Sequence, residues 1–298
     1  MTAPRQVLPG ATYLVTRRCS ERRFFLRPSA QTNAIFAYVL AVAAARYRVR
    51  VHAYCVLSNH FHLVVTDPEA RLPDFHRHLD GLVARAMNCA LGRWESFWDP
   101  DSYSAVRLES NAAVFEKIVY VLANPVLAGL VRRAREWPGL WSDPNQIGRS
   151  PSTVERPSGF FREGGPMPAA AELQLESPPG YESDETFLDD LSQALREMED
   201  RAAADRAREG RAFIGRGAVL GQPPGNRPHS TEPRRGLVPR VACRNKWKRI
   251  EALSRLLDFG REYREALAAW KAGARAVIFP AGTWLMRVQH GAYCAAPG

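Results

Sequence analysis

Along the first half of the chain the spacing of apolar positions switches repeatedly between two residues and about 3.6, and each switch predicts a new element. ATYLVTR (11–17) is β-branched and aromatic and predicts a strand. AQTNAIFAYVLAVAAAR (30–46) is alanine-rich and predicts a helix lying on a sheet. VRVHAYCVL (49–57) alternates, Ser58-Asn59 suits a tight turn, and HFHLVVT (60–66) completes a hairpin that Asp67-Pro68 ends. In residues 72–92, Phe75, Leu79, Leu82, Val83 and Met87 recur at helical intervals, with Gly92 placed as a C-cap. SAVRLE (104–109) predicts a further strand, and AAVFEKIVYVLANPV (112–126) a helix stopped at Asn124-Pro125.

This order, β-α-β-β-α-β and then a helix, predicts an α+β fold: a ferredoxin-like antiparallel sheet with helices on one face, followed by a mainly helical C-terminal region. The other face of the sheet is expected to lie open to a ligand. Residues 1–149 form the predicted first domain, and the Pro-, Gly- and Ser-rich residues 150–184 a linker. Residues 185–298 form a mainly helical accessory region with possible DNA-binding character. There Phe187, Leu188, Leu191, Leu195 and Met198 make one apolar stripe, and residues 244–273 predict two helices broken near Gly260. RRGLVPRVACRNKWKRIEAL (234–253) mixes basic and aromatic residues and suits a hairpin or duplex flank.

Charge changes this picture more than composition does. The net charge is +10, and all but four of the 41 basic residues are arginine. Guanidinium groups fork onto phosphates, which suits a nucleic-acid partner, although an arginine-favouring codon bias gives the same surplus. Residues 1–150 carry 19 Lys and Arg against 12 Asp and Glu, so the excess sits mostly in the first half. Five scattered cysteines with no CxxC argue against a disulfide framework or zinc knuckle. With no secretory-type N-terminus and no long apolar run, they predict a cytoplasmic, nucleoid-associated protein with no membrane partner.

The candidate chemistry begins at AYCVLSNHFHLVV (53–65). In a strand, His60 and His62 share one face while Phe61, Leu63 and Val65 share the other. Two histidines about 7 Å apart along a strand can converge on one divalent ion. They can equally be half-exposed strand histidines with no ligand. On the helix over 112–126, Phe115, Ile118, Val119 and Leu122 form the packing stripe, and Tyr120 lies off it on the face of Glu116, Lys117 and Asn124. Trp94, Phe97, Trp98 and Tyr103 are either base-stacking platforms or core anchors.

SNHFHLVV, followed about 60 residues later by YVLANPVLAGLV, resembles the HUH single-tyrosine transposases, and most closely the REP-associated tyrosine transposases. YLVTRR, HAYCVLSNHFH and HLDGLVARAMN fit the same pattern, so the resemblance covers roughly residues 10–142. WESFWDPDSYSAVRL departs from the glycine-and-basic stretch common at its position. The resemblance implies that His60 and His62 ligate Mg²⁺ or Mn²⁺, with Phe61 filling the middle position. Asn124 would help complete the metal site. Tyr120 would be the nucleophile, cleaving single-stranded or hairpin DNA through a 5′-phosphotyrosine and rejoining strands. The family also makes a homodimer possible. Apart from the resemblance, Arg17, Arg18, Arg22 and Arg23 cluster after the first strand and Arg132, Arg133 and Arg135 after the helix; these clusters suit phosphate positioning, and equally suit solvated loop charge. A domesticated, non-cleaving DNA-binding protein of the same fold is the main alternative; a phosphodiesterase using water as its nucleophile is another.

Overall fold

The computed structural model describes residues 4–100, 103–229 and 239–297. Strand β1 (Ala11–Arg18), helix α1 (Ala30–Tyr47), strands β2 (Arg50–Leu57) and β3 (His60–Asp67), helix α2 (Leu72–Ala90), strand β4 (Ser104–Leu108) and helix α3 (Asn111–Leu127) follow in the expected order. After them come strands β5 (Ser152–Glu155) and β6 (Ala170–Leu173), helices α4 (Asp184–Arg208) and α5 (Arg216–Gly221), strand β7 (Val241–Ala242), and helices α6 (Lys246–Lys271) and α7 (Trp284–His290). The main sheet runs β2-β3-β1-β4-β7. Its first four strands are antiparallel in the ferredoxin-like order, and β7 joins β4 in parallel, which makes the sheet mixed.

Strand alternation divides β3 as expected. Phe61, Leu63 and Val65 are fully buried, and the Phe61 ring meets Phe36 of α1 edge-on at 5.1 Å and stacks at 6.3 Å with His76 of α2. Each such side chain contributes about 1.5–3 kcal/mol by leaving water. Side-chain oxygens start the helices: Ser29 accepts from Thr32 N–H, Asp67 from Leu72 N–H, and Ser110 from Ala113 N–H.

Four features differ from the sequence expectation. The second face of the sheet is not open, because α3 crosses it and packs against β2 and β3. Helix α3 also runs through Pro125, which lies so near the helix end that only one ladder bond is lost, while the Pro125 carbonyl accepts from Leu130 N–H. Residues 150–184 are not a tether. They hold the β5–β6 hairpin against α1, with Phe161 5.1 Å from the Tyr38 ring and the Tyr38 hydroxyl donating to the Pro168 carbonyl. The Arg156 guanidinium organises the hairpin loop by donating to three carbonyls, those of Arg162, Glu163 and Met167. Finally, residues 246–271 form one unbroken helix, with Gly260 inside it. Part of the basic and aromatic segment 234–253 lies outside the described residues.

The outer edge of β2 is closed rather than exposed. Val56 N–H bonds to the Leu140 carbonyl, Ser142 N–H to that of Tyr54, and Glu176 N–H to that of Val51, so later chain satisfies the edge. A β-bulge falls between Val51 and Ala53 and turns His52 inward. The Glu176 carbonyl can only accept, so His52 Nδ1 donates to it at 2.8 Å. His52 Nε2 then accepts from Thr66, whose oxygen lies 2.7 Å from the Thr12 hydroxyl.

Two outcomes follow for stability. Burial lowers the His52 pKa to about 4 from the usual 6.5, so the unfolded chain binds the extra proton first and stability falls as pH drops from 6.5 towards 4. The loss from His52 approaches about 3 kcal/mol; His52→Gln should flatten this part of a urea-denaturation pH series, and an unchanged slope would refute it. A Cβ on Gly260 would meet only Arg264 Nη1, at 3.6 Å. Gly260→Ala should therefore stabilise α6 by about 0.5–1 kcal/mol and slow amide exchange there a few-fold; faster exchange would contradict it.

Candidate active site

The site is built where β1, β3 and α3 meet. The β1–β3 register places Thr16 opposite His62 and Arg18 opposite His60, and residues opposite one another share a face. His60 and His62 are therefore on the face that α3 covers. Their ring centres lie 4.8 Å apart with the planes nearly perpendicular. His62 is 6% exposed and His60 half-buried.

Both Nδ1 atoms are held. His60 Nδ1 lies 2.7 Å from Asn59 Oδ1, an acceptor, so it carries the proton and leaves the Nε2 lone pair available. His62 Nδ1 lies 2.7 Å from the Thr16 hydroxyl, which can accept in the same way. Both imidazoles are neutral at physiological pH. Burial, then Arg18 and Lys117, lower the His62 pKa to about 3. Burial, then His62, Arg18 and Arg22, hold His60 well below its ordinary value.

Helix α3 brings Tyr120 to this pair. Its ring lies 5.5 Å from that of His62 at 72°, and the Lys117 ammonium, one turn earlier, sits 5.5 Å over the Tyr120 ring. Asn124, one turn later, is 6% exposed. The packing stripe is wider than the spacing suggested. Ile118, Val119 and Leu122 are buried as expected, and so are Val114 and Val121, while Phe115 is turned towards Tyr181 and Phe187 beside α4.

The arginines divide by face. Arg18 is exposed beside His60, and Arg22 lies close enough to affect it. Arg17 points to the opposite face, 3.5 Å from Asp80 and over the Trp98 ring. Arg23 pairs with Glu21, and Arg133 with Glu199 and Asp200. Arg132 and Arg135 are exposed beyond the end of α3. Phe97 and Trp98 are core residues, and Tyr103 stacks on His76 at 3.7 Å, which leaves Trp94, 87% exposed, as the accessible aromatic of that group.

Thr16, Asn59 and Lys117 are the neighbours that sequence reasoning gave no role. Asn59 could have been found from its place before His60, and Lys117 from its helical spacing. Thr16 depends on strand register, which the sequence does not print.

Among the described residues no group of three or more His, Cys, Asp and Glu could hold a metal. The donors the structure brings together are the two neutral imidazoles of His60 and His62, which could hold a divalent ion that accepts nitrogen, while Asn124 is buried one turn beyond Tyr120 on the same helix. Metal–nitrogen bonds of about 2.1 Å are compatible with two rings at this separation.

No family model matches the chain. No curated protein matches it either. Among solved structures, a REP-associated tyrosine transposase bound to a REP hairpin is 18% identical over 47% of this chain and 81% of its own, with a TM-score of 0.37. A Deinococcus radiodurans R1 protein provisionally assigned as a transposase is 22% identical over 36% and 85%, with a TM-score of 0.28.

Proposed function

We propose that the chain is a metal-dependent DNA transposase or endonuclease of the HUH tyrosine type, acting on single-stranded or hairpin DNA. The observation that carries this reading is the approach of Tyr120, from a helix about 60 residues downstream, to within 5.5 Å of His62 in the paired-histidine strand. The motif resemblance in residues 10–142 supports it.

In this reading His60, His62 and Asn124 hold the divalent ion. The ion, when bound, supplies Lewis-acid polarisation of the scissile phosphate. Tyr120 Oη forms a bond to phosphorus while the P–O3′ bond breaks. The electron pair goes to O3′, which takes up a proton and leaves as a free 3′-hydroxyl, and the phenolic proton passes to water. The product is a 5′-phosphotyrosyl link, and attack by a 3′-hydroxyl reverses it and joins strands without ATP. Lys117 lies near enough to Tyr120 to favour negative charge growing on the phenolic oxygen. Arg18 and Arg22 beside the imidazoles contribute sequence-independent attraction for the DNA backbone. Tyr120 faces the histidine pair of its own chain, its ring 5.5 Å from that of His62.

Labelled hairpin oligonucleotides with single-stranded flanks, incubated with Mn²⁺, should give a shifted, protease-sensitive band on a denaturing gel. Tyr120→Phe should abolish that band and cleavage together. Cleavage that survives in Tyr120→Phe without an adduct would replace this reading with a water-nucleophile phosphodiesterase, and binding without any cleavage by wild type would favour a binding protein.

The histidine pair gives a second outcome. His60→Ala and His62→Ala should each remove tight Mn²⁺ binding in calorimetry. Thr16→Val, which deprives His62 Nδ1 of its partner, should weaken it about 10–100-fold. Unchanged Mn²⁺ affinity in all three would end the metal assignment.

A further inference from the structure

A cavity of about 460 Å³ lies between β4, the N-terminal segment and α6, on the opposite face of the sheet from the paired histidines. The β1–β4 register pairs Tyr13 with Arg107 and Val15 with Ala105, on the face that α1 and α2 occupy rather than the face of α3. Four arginines line it (Arg5, Arg107, Arg240 and Arg264), and among the described residues no acidic side chain does; Arg5 donates to the Tyr103 carbonyl. Arg107 pairs with Glu109 outside the lining. Arg240 and Arg264 have no ion-pair partner among the described residues. Burial, and then the nearby Arg5 charge, disfavour charge on Arg240. Like guanidinium groups held around one cavity repel one another, and an anion between them removes that cost.

The remaining walls are apolar. Leu253 and Leu257 of α6 stand at the rim, 43% and 75% exposed, and Phe259 is buried behind them. Gly260 belongs to the same wall. A glycine inside a 26-residue helix is unfavourable, and here a Cβ would project into open space beside Arg264. The glycine thus leaves room in the cavity.

We propose that this cavity is a nucleotide-binding site, taking one unpaired base against the leucine wall and its phosphate between Arg240 and Arg264. The volume is that of a small-ligand site. Guanidinium forks match a phosphate bidentately, and a group of arginines suits its charge better than that of a single carboxylate. The nucleotide is either free or part of a single strand. The inference is independent of cleavage by Tyr120.

The test uses the full-length chain with three probes: a free nucleoside monophosphate, a blunt DNA hairpin, and the same hairpin with a single-stranded tail. Gly260→Leu fills the cavity and keeps the arginines, and Arg240→Ala with Arg264→Ala removes the phosphate grip. Thermal melting confirms that each variant is folded. For a strand-borne nucleotide, both variants should weaken binding of the tailed hairpin at least tenfold and leave the blunt hairpin unchanged. For a free nucleotide, the monophosphate should bind wild type and neither variant. Equal losses on blunt and tailed hairpins would reduce the arginines to general charge attraction and overturn the proposal. Folded variants that bind all three probes like wild type would overturn it as well.

Discussion

The antiparallel pairing of β1 with β3 is the constraint on which the rest of the molecule depends. Eight consecutive residue pairs, from Ala11–Asp67 to Arg18–His60, fix the register at the centre of the sheet. A slip of one residue would turn Phe61, Leu63 and Val65 out of the core and send the histidines into it. Several kilocalories per mole of apolar burial therefore hold the imidazoles on the face of α3. The same register puts the Thr16 hydroxyl at His62 Nδ1, so packing on one face sets the chemistry on the other.

Both faces accommodate polar groups at a thermodynamic cost. On the α3 side His52 and His62 are buried and neutral, and on the other face Asp67 is fully buried at the head of α2. Each is tolerated because it is partnered: His52 by Thr66 and the Glu176 carbonyl, His62 by Thr16, Asp67 by the amides of Glu69, Arg71 and Leu72. Burial raises the Asp67 pKa, and those amide bonds partly counter it. The network on β2 and β3 suits neutral imidazole, and neutral imidazole is the form that can bind a metal. Mild acid therefore lowers the stability of the fold, through the proton the unfolded chain gains, while the imidazoles of the folded chain stay neutral.

The elements of the first half were legible because each announces itself in short-range periodicity. Alternation in HFHLVVT separated His60 and His62 from Phe61, and helical spacing put Tyr120 outside the central stripe of α3. Which surfaces those elements cover was not legible. Nothing local states that α3 crosses the histidine face, that Thr16 faces His62, or that Arg17 turns away to Asp80 while Arg18 stays. These depend on strand register and on crossover, both long-range. The Pro-rich segment misled for the same reason: its order comes from Tyr38 of α1 and from three carbonyls collected by Arg156, not from its own composition. Gly260 reads as a breaker in isolation, yet the helix continues on both sides of it and tolerates its modest cost.

Residues 239–297 meet the rest of the fold along a short seam. β7, two residues long, pairs with β4, where the Arg240 and Ala242 carbonyls accept from Arg107 and Glu109 N–H, and beyond it Val7 N–H bonds to the Gly282 carbonyl and Trp284 packs into the main core. The ion pairs that add to it, Arg244 with Glu116 and Arg255 with Glu109, involve half-exposed or more exposed arginines and are worth little in water. Ala266, Phe279, Met286 and Ala292 form a small apolar cluster of their own, separate from the main core. A region with a separate small core and a short seam is the part of a fold that opens first. The arginine-lined cavity lies on that seam, between β4 and α6. A ligand bound there would touch both sides and favour the closed seam by its binding free energy, so occupation of the cavity would stabilise the docking of the region that supplies Arg240 and Arg264.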